Sequence, residues 1–123
     1  QKDISSKTTY DGRVAMDSQG NELRWLEARN KDIIDLRGVF PRDSKSRNHL
    51  RNNDWRVDCK VVFAVDQNGR AYEGTASGCP ESFQKAALKA LSNVGWEPPM
   101  WQGEPTRAIS KMNIGFTVRP SIP

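Results

Sequence analysis

The chain has 123 residues, of which 36% are apolar and 28% charged, enough for one ordinary domain with a modest core. No apolar run approaches the roughly 18 residues of a membrane-spanning helix. The net charge is +4 and the pI about 9.3, but the basic residues are scattered among acids and form no nucleic-acid-binding motif. Composition therefore predicts no nucleic-acid partner.

The first third of the chain carries weak structural signals. Residues 1–10 are polar and rich in Ser, Thr and Lys, which predicts a disordered lead-in. They lack the apolar segment of a signal peptide, so the sequence leaves open whether a membrane anchor or a cleaved signal peptide precedes Gln1. Residues 12–26 contain a small hairpin signal around a turn at 18–21. Residues 42–56 are polar and locally basic, and they predict a long loop or a poor helix.

The clearest strand pattern lies in the middle of the chain. Every second residue from Val57 to Val65 is apolar or cysteine, as expected for a strand with one buried face. Residues 66–69 then form a turn signal, in which Asn68 and Gly69 tolerate positive φ. Residues 70–76 return as a second strand, so this stretch predicts a β-hairpin.

A helix and a last strand follow. Residues 83–94 have apolar side chains at helical spacing, and Ser82 is a candidate N-cap. Residues 112–118 alternate again and predict a half-buried strand. The resulting fold class is α+β: a three-stranded antiparallel sheet with a helix on one face (β-β-α-β) over residues 40–123. Residues 1–39 are predicted to form an N-terminal extension.

The two cysteines are Cys59 and Cys79, and the single histidine is His49. These are too few ligands for a zinc site, so the sequence predicts no metal and no cofactor. The predicted hairpin brings Cys59 opposite residues 76–77, close to Cys79. A disulfide is therefore geometrically reasonable, while two buried thiols remain the alternative. A disulfide would indicate an oxidising compartment.

From Phe40 onward the chain resembles the carboxyl-terminal domain of the TonB family, and the related domain of TolA. The resemblance is carried by the order and spacing of several weak motifs. They are the pair Phe40-Pro41 and the stretches "CKVVFAVDQNGRAYEGT", "FQKAALKALSNVGWEPP" and "GEPTRAISKMNIGFTV". Residues 1–39 lie outside it. The resemblance implies a TonB C-terminal-like fold with an N-terminal extension.

The resemblance also implies a function. In that family the domain is a periplasmic protein–protein interaction module of Gram-negative bacteria, not an enzyme, and it has no small-molecule substrate. It binds a peptide segment of an outer-membrane transporter, or another envelope protein, by β-strand pairing. An N-terminal inner-membrane anchor, which lies outside this chain, joins it to a proton-driven motor complex.

The last strand is the predicted partner-binding edge. Its residues of one parity point away from the predicted core, and Gly115 removes a side chain where another backbone could approach. The predicted edge comprises Arg107, Ile109, Lys111, Asn113, Gly115 and Thr117. A second contact patch is predicted at Arg51, Trp55 and Arg56. The alternative for the strand is a protected edge without a partner, guarded by Arg107 and Lys111.

Two other functional hypotheses stay open at this level. One is a stand-alone secreted or periplasmic binding or inhibitor protein that reuses the fold without energy transduction. It is motivated by the unmatched start of the chain and the basic stretch at 42–56. The other is an enzyme, which would need a cleft with perturbed carboxylates or an activated cysteine.

Overall fold

The computed structural model describes residues 13–118. The predicted disordered lead-in at residues 1–10 lies outside this range. In chain order the elements are β1 (Val14–Met16), β2 (Glu22–Trp25), α1 (Ser44–Asn52), β3 (Arg56–Val65), β4 (Ala71–Ser77), α2 (Glu81–Ser92), β5 (Met100–Trp101), β6 (Glu104–Pro105) and β7 (Ala108–Thr117).

The predicted fold class of a three-stranded antiparallel sheet with one helix is wrong. The main sheet has five strands in the order β1-β2-β7-β3-β4, and it is mixed because β2 runs parallel to β7. β5 and β6 form a separate two-stranded sheet, and the described residues contain two helices. The additional strands β1 and β2 have only three and four residues, too few for hydrophobic periodicity to identify their partners.

The central hairpin forms where the alternating pattern predicts it. β3 and β4 pair antiparallel, with a bulge between Val62 and Ala64. In the connecting turn the backbone N–H of Gly69 donates to Asp66 O at 3.0 Å. The Asp66 side chain accepts backbone hydrogen bonds from Asn68 and Arg70. The turn is therefore fixed by an aspartate that caps its own backbone and by a glycine at positive φ.

α2 packs its apolar side on one face of the sheet, which we call the helix face. Its buried residues are Phe83, Ala86, Ala87, Ala90 and Leu91. They join the core formed by the inward residues of β3 and β7, among them Phe63, Ile114 and Phe116. The helix begins one residue before the predicted N-cap, with Pro80 in the cap position. Ser82 instead shares a hydrogen bond of 2.7 Å with the Ser46 hydroxyl.

α1 lies within the stretch predicted as a loop or poor helix. Leu50 and Ser46 are its buried residues, so its apolar pattern is too sparse to predict a helix with certainty. Its start is stabilised by Asp43, whose carboxylate accepts hydrogen bonds from the backbone N–H and the hydroxyl of Ser46. This N-cap supplies the local stabilisation that the apolar pattern lacks.

Cys59 and Cys79 form a disulfide, with their Cα atoms 5.2 Å apart. Cys59 lies in β3 and is fully buried, and Cys79 lies two residues before the first residue of α2. The bond therefore fastens the start of the helix to a central strand. Of the two alternatives that the sequence left open, the disulfide is the one that the structure contains.

The β1–β2 hairpin bends back so that its turn contacts the opposite edge strand, β4. The Tyr72 hydroxyl donates to the Asp17 carboxylate at 2.7 Å, and the Ser18 backbone N–H donates to the Glu73 carboxylate at 3.0 Å. Arg107 donates to the Tyr72 hydroxyl at 3.0 Å. These hydrogen bonds join residues that are far apart in sequence, and they hold the hairpin onto the rest of the domain.

This arrangement gives stability a pH dependence. The hydrogen bond from Tyr72, supported by bonds from Asn21 and Gln19, lowers the pKa of Asp17 to about 2. An aspartate in an unfolded chain titrates near 3.9. The folded pKa is the lower one, so the stabilisation is fully present above about pH 4 and is lost as the pH falls through 2. We expect the difference in urea midpoint between the wild type and Asp17→Asn to shrink over that range.

Asp35 provides the control for this pH experiment. The hydrogen bond from the Arg37 side chain also lowers the pKa of Asp35 to about 2, but the two residues are only two positions apart and both are exposed. Such a local pair can form in the unfolded chain as well. Asp35→Asn should therefore change the pH dependence less than Asp17→Asn does. A larger effect of Asp35→Asn would contradict the role given to the Asp17 bonds.

Candidate peptide-binding edge

The two sides of β7 are covered to different extents. β3 pairs with it along its whole length, from Ala108 to Thr117. On the other side, β2 pairs only with Ala108 and Ile109. Within residues 13–118, no strand follows β2 along the remaining part of β7. Within this remaining part, we call residues 113–117 the free edge.

The backbone direction at the free edge follows from the hydrogen bonds of β7. The carbonyl oxygens of Arg107 and Ile109 accept from β2 and the residue after it, so these residues point away from β3. Successive residues of a strand point their backbone groups to opposite sides. Asn113, Gly115 and Thr117 therefore also direct their N–H and C=O groups away from β3. No other backbone group in the described part of the chain bonds them there.

An apolar groove runs beside the free edge. It encloses about 560 Å³ between Gly115 and Thr117 on one side and the irregular segment 33–40 on the other. Ile33 is 89% exposed. The apolar side chains that line the groove are Ile33, Ile34, Leu36 and Phe40, and the ion pair of Asp35 and Arg37 lines it as well. Backbone hydrogen-bonding groups thus face a mainly apolar surface across an open space.

The sheet face opposite α2, which we call the open face, is charged near the free edge. Asp58 lies opposite Gly115 and Lys60 opposite Asn113 in the β3–β7 register. The Arg56 side chain binds Asp58 at 2.9 Å, and this hydrogen-bonded pairing raises the pKa of Arg56. A side chain at position 115 would come within 3.0 Å of both Arg56 and Asp58. The missing side chain of Gly115 therefore leaves room for this ion pair.

The six predicted edge residues fall into two groups. The carbonyl oxygens of Arg107 and Ile109 already accept hydrogen bonds from the backbone N–H groups of Arg24 and Leu26. The Arg107 guanidinium donates to the Tyr72 hydroxyl. The other four lie on the part of β7 beyond β2, with their side chains on the open face. They are Lys111, Asn113, Gly115 and Thr117.

The predicted contact patch is brought together only in part. The Arg51 guanidinium lies 6.0 Å from the centroid of the Trp55 ring, at the outer limit of a cation–π contact. Arg56 turns its side chain to Asp58 instead. Arg51 at the end of α1 and the half-buried Trp55 therefore form one pair, while Arg56 belongs to the open face.

Sequence reasoning did not include the groove residues or Asp58 in the site. The stretch "DIIDL" at 32–36 contains three apolar residues, but it has no regular secondary structure, and nothing local in the sequence shows that it lies beside β7. Asp58 has the same parity as the predicted edge residues once the strands are in register. Its position opposite Gly115 depends on the register of β3 with β7, which no local signal in the sequence gives.

Neither helix within residues 13–118 is long and apolar enough to cross a membrane. Over the same range, no cluster of His, Cys, Asp or Glu side chains has the arrangement needed to hold a metal ion. Both cysteines are bonded to each other, so neither offers the free thiol that a cysteine nucleophile requires. No protein-family model and no curated protein sequence matches the chain.

Proposed function

We propose that this protein is a protein–protein interaction domain that binds an extended peptide by strand pairing at the free edge of β7. One observation carries the proposal: the outward backbone groups of Asn113, Gly115 and Thr117 face an apolar groove. In β-strand addition, backbone hydrogen bonds supply affinity and pockets for alternate side chains supply specificity. The free edge and the groove offer these two components next to each other.

The fold contains an internal precedent for this binding mode. β2 adds to the same side of β7 through Arg24 and Trp25, which pair in parallel with Ala108 and Ile109. A bound peptide would occupy residues 113–117, further along the same side of this strand. Backbone hydrogen bonds at an edge do not depend on the partner's side chains. This part of β7 can therefore pair with an extended peptide that is long enough to lie along it.

The proposal extends to the cellular setting. The disulfide favours an oxidising compartment, and the resemblance to the TonB carboxyl-terminal domain favours the periplasm of a Gram-negative bacterium. On this hypothesis the partner is an outer-membrane transporter or another envelope protein. The domain then acts as an adaptor or transmits force from an inner-membrane motor complex, without any chemical step of its own.

One observation favours the second candidate, a stand-alone binding or inhibitor protein. Val14–Met16 and Glu22–Trp25 are strands of the main sheet and do not form a separate tether. They also cover the first part of β7. Sequencing the gene upstream of Gln1 separates the two candidates, because a transmembrane helix and a Pro-rich spacer favour the transducer, whereas a cleavable signal peptide favours the stand-alone protein.

Peptide titration of the isotopically labelled protein tests the binding site. The probes are overlapping synthetic peptides that cover the amino-terminal segments of outer-membrane transporters. We expect the amide shifts of residues 113–117 and of the groove segment 33–40 to change most. Shifts confined to the β4 edge or to α2, or no shift with any peptide at about 1 mM, would overturn the proposal.

A pair of proline variants makes the test specific to backbone pairing. In Asn113→Pro the missing N–H is one that points away from β3, so the β3–β7 ladder stays intact. We expect peptide binding to weaken roughly five- to tenfold, the equivalent of one net hydrogen bond. Ala76→Pro is the matched control, because the register places its N–H outward on the opposite edge of the sheet. Equal weakening by both variants would contradict binding at β7.

A further inference from the structure

We infer that the strand captured at the free edge is acidic on one side: it carries carboxylates at the alternate positions that face the open side of the sheet, and apolar residues at the positions that face the groove. This inference rests on the proposed function and names the chemistry of its partner. The charge distribution of the open face, the gap at Gly115 and the apolar groove support it.

The open face beside the free edge is positively charged. Across the four paired positions from Arg56↔Thr117 to Val62↔Lys111, the charged residues are Arg56, Asp58, Lys60 and Lys111. Three cations thus accompany a single carboxylate. An added strand would lie about 4.8 Å from β7 and about twice that distance from β3, so Arg56 and Lys60 of β3 can meet its side chains only by extending over β7. Opposite charges on neighbouring strands stabilise pairing, whereas like charges oppose it.

Gly115 makes this charge accessible from the edge. The Arg56 guanidinium reaches over Gly115 together with its partner Asp58: a Cβ atom there would lie 3.0 Å from Arg56 Nη2 and 3.0 Å from Asp58 Oδ1. The Asp58 carboxylate binds the Nε and Nη2 groups of Arg56. The Nη1 group of Arg56 has no hydrogen-bond partner in the described residues. No side chain at position 115 separates this group from a strand added beside β7. A carboxylate at the facing position of the peptide could therefore accept a hydrogen bond from Arg56 Nη1.

The other side of an added strand faces the groove. Its lining includes Ile34, Leu36 and Phe40, and Phe40 continues into the core through an edge-to-face contact with Phe116. Apolar side chains of the peptide would be removed from water there. Because successive side chains of a strand point to opposite faces, one strand satisfies both surfaces only if acidic and apolar residues alternate.

Three synthetic nonapeptides test the inference. All carry valine at alternate positions, and the positions between the valines hold glutamate, serine or lysine. In low-salt buffer we expect the glutamate peptide to bind about five- to tenfold more tightly than the serine peptide, and the lysine peptide to bind more weakly than both. This corresponds to about two cross-strand charge pairs. The preference should decrease at about 0.5 M salt.

The three outcomes separate this inference from the proposed function. Equal affinity for all three peptides, with shifts at residues 113–117, would overturn the acidic preference and leave strand capture intact. Binding of none of them would overturn both. Tighter binding of the lysine peptide would overturn the inference alone.

Two arginine variants test the contact itself. Arg56→Gln removes the guanidinium and leaves Asp58 beside the edge, so the preference for the glutamate peptide over the serine peptide should disappear. Arg70→Gln lowers the net charge by the same amount but lies on the β3–β4 turn, away from residues 113–117. It should keep the preference within about twofold. Equal losses in both variants would show that only net charge matters, and would overturn the assignment to Arg56.

Discussion

Replacing Gly69 with alanine should destabilise the domain by about 3–5 kcal/mol, because the substitution combines backbone strain with a steric overlap. Gly69 has a φ of +83°, a conformation that residues with a Cβ adopt at a cost. The added Cβ would also overlap the backbone carbonyl group of Trp96, and a backbone atom cannot move aside as a flexible side chain can. Equilibrium unfolding in urea, followed by tryptophan fluorescence, measures the change.

Gly20 is the matched control for this substitution. Its φ is +85°, but a Cβ there would have nothing within 4 Å. Gly20→Ala should therefore show only the backbone cost, about 1–2 kcal/mol. If the two substitutions lowered the free energy of unfolding equally, the close approach of Gly69 to Trp96 would contribute nothing to the cost of Gly69→Ala. The expected difference comes from the tertiary contact, because both glycines occupy hairpin turns.

Reducing the disulfide should lower the free energy of unfolding by about 3 kcal/mol in the chain-entropy model. The two cysteines are 20 residues apart, and opening this loop returns conformational freedom to the unfolded chain. The bond also holds the start of α2 against β3, so its loss should loosen the helix as well. The measurement is urea unfolding of the wild type with and without a thiol reductant.

The variant Cys59→Ala/Cys79→Ala controls for other effects of the reductant. It should be less stable than the oxidised wild type, and its urea midpoint should not respond to reductant. An unchanged midpoint for the wild type after complete reduction, checked by mass spectrometry of the alkylated protein, would contradict the proposed stabilisation.

The hairpin of β3 and β4 and the helix α2 could be predicted because their signals are local. Alternating apolar residues, the Asp66–Gly69 turn and the apolar side of α2 all lie within one continuous stretch of the chain. Each element buries a face that its own periodicity marks. α1 was predicted less well, since its stability depends on the Asp43 cap and its tertiary packing through Leu50.

The candidate site was predicted only in part, for a comparable reason. The parity of Lys111, Asn113, Gly115 and Thr117 is a property of one strand, and the sequence contains it. The limits of the free edge depend on β2, which pairs with β7 across more than 80 positions of the chain. The groove depends on where the irregular segment 33–40 lies. Neither placement leaves a periodic signal in the sequence.

The sequence by itself determined which residues alternate, where the tight turn forms and which face of α2 is apolar, because these follow from backbone geometry and side-chain polarity over short distances. Only the tertiary structure decided that β1 and β2 extend the sheet, that they cover the start of β7 and that the rest of this strand faces a groove. These features depend on contacts between distant segments, whose free energy arises only when the whole chain is folded.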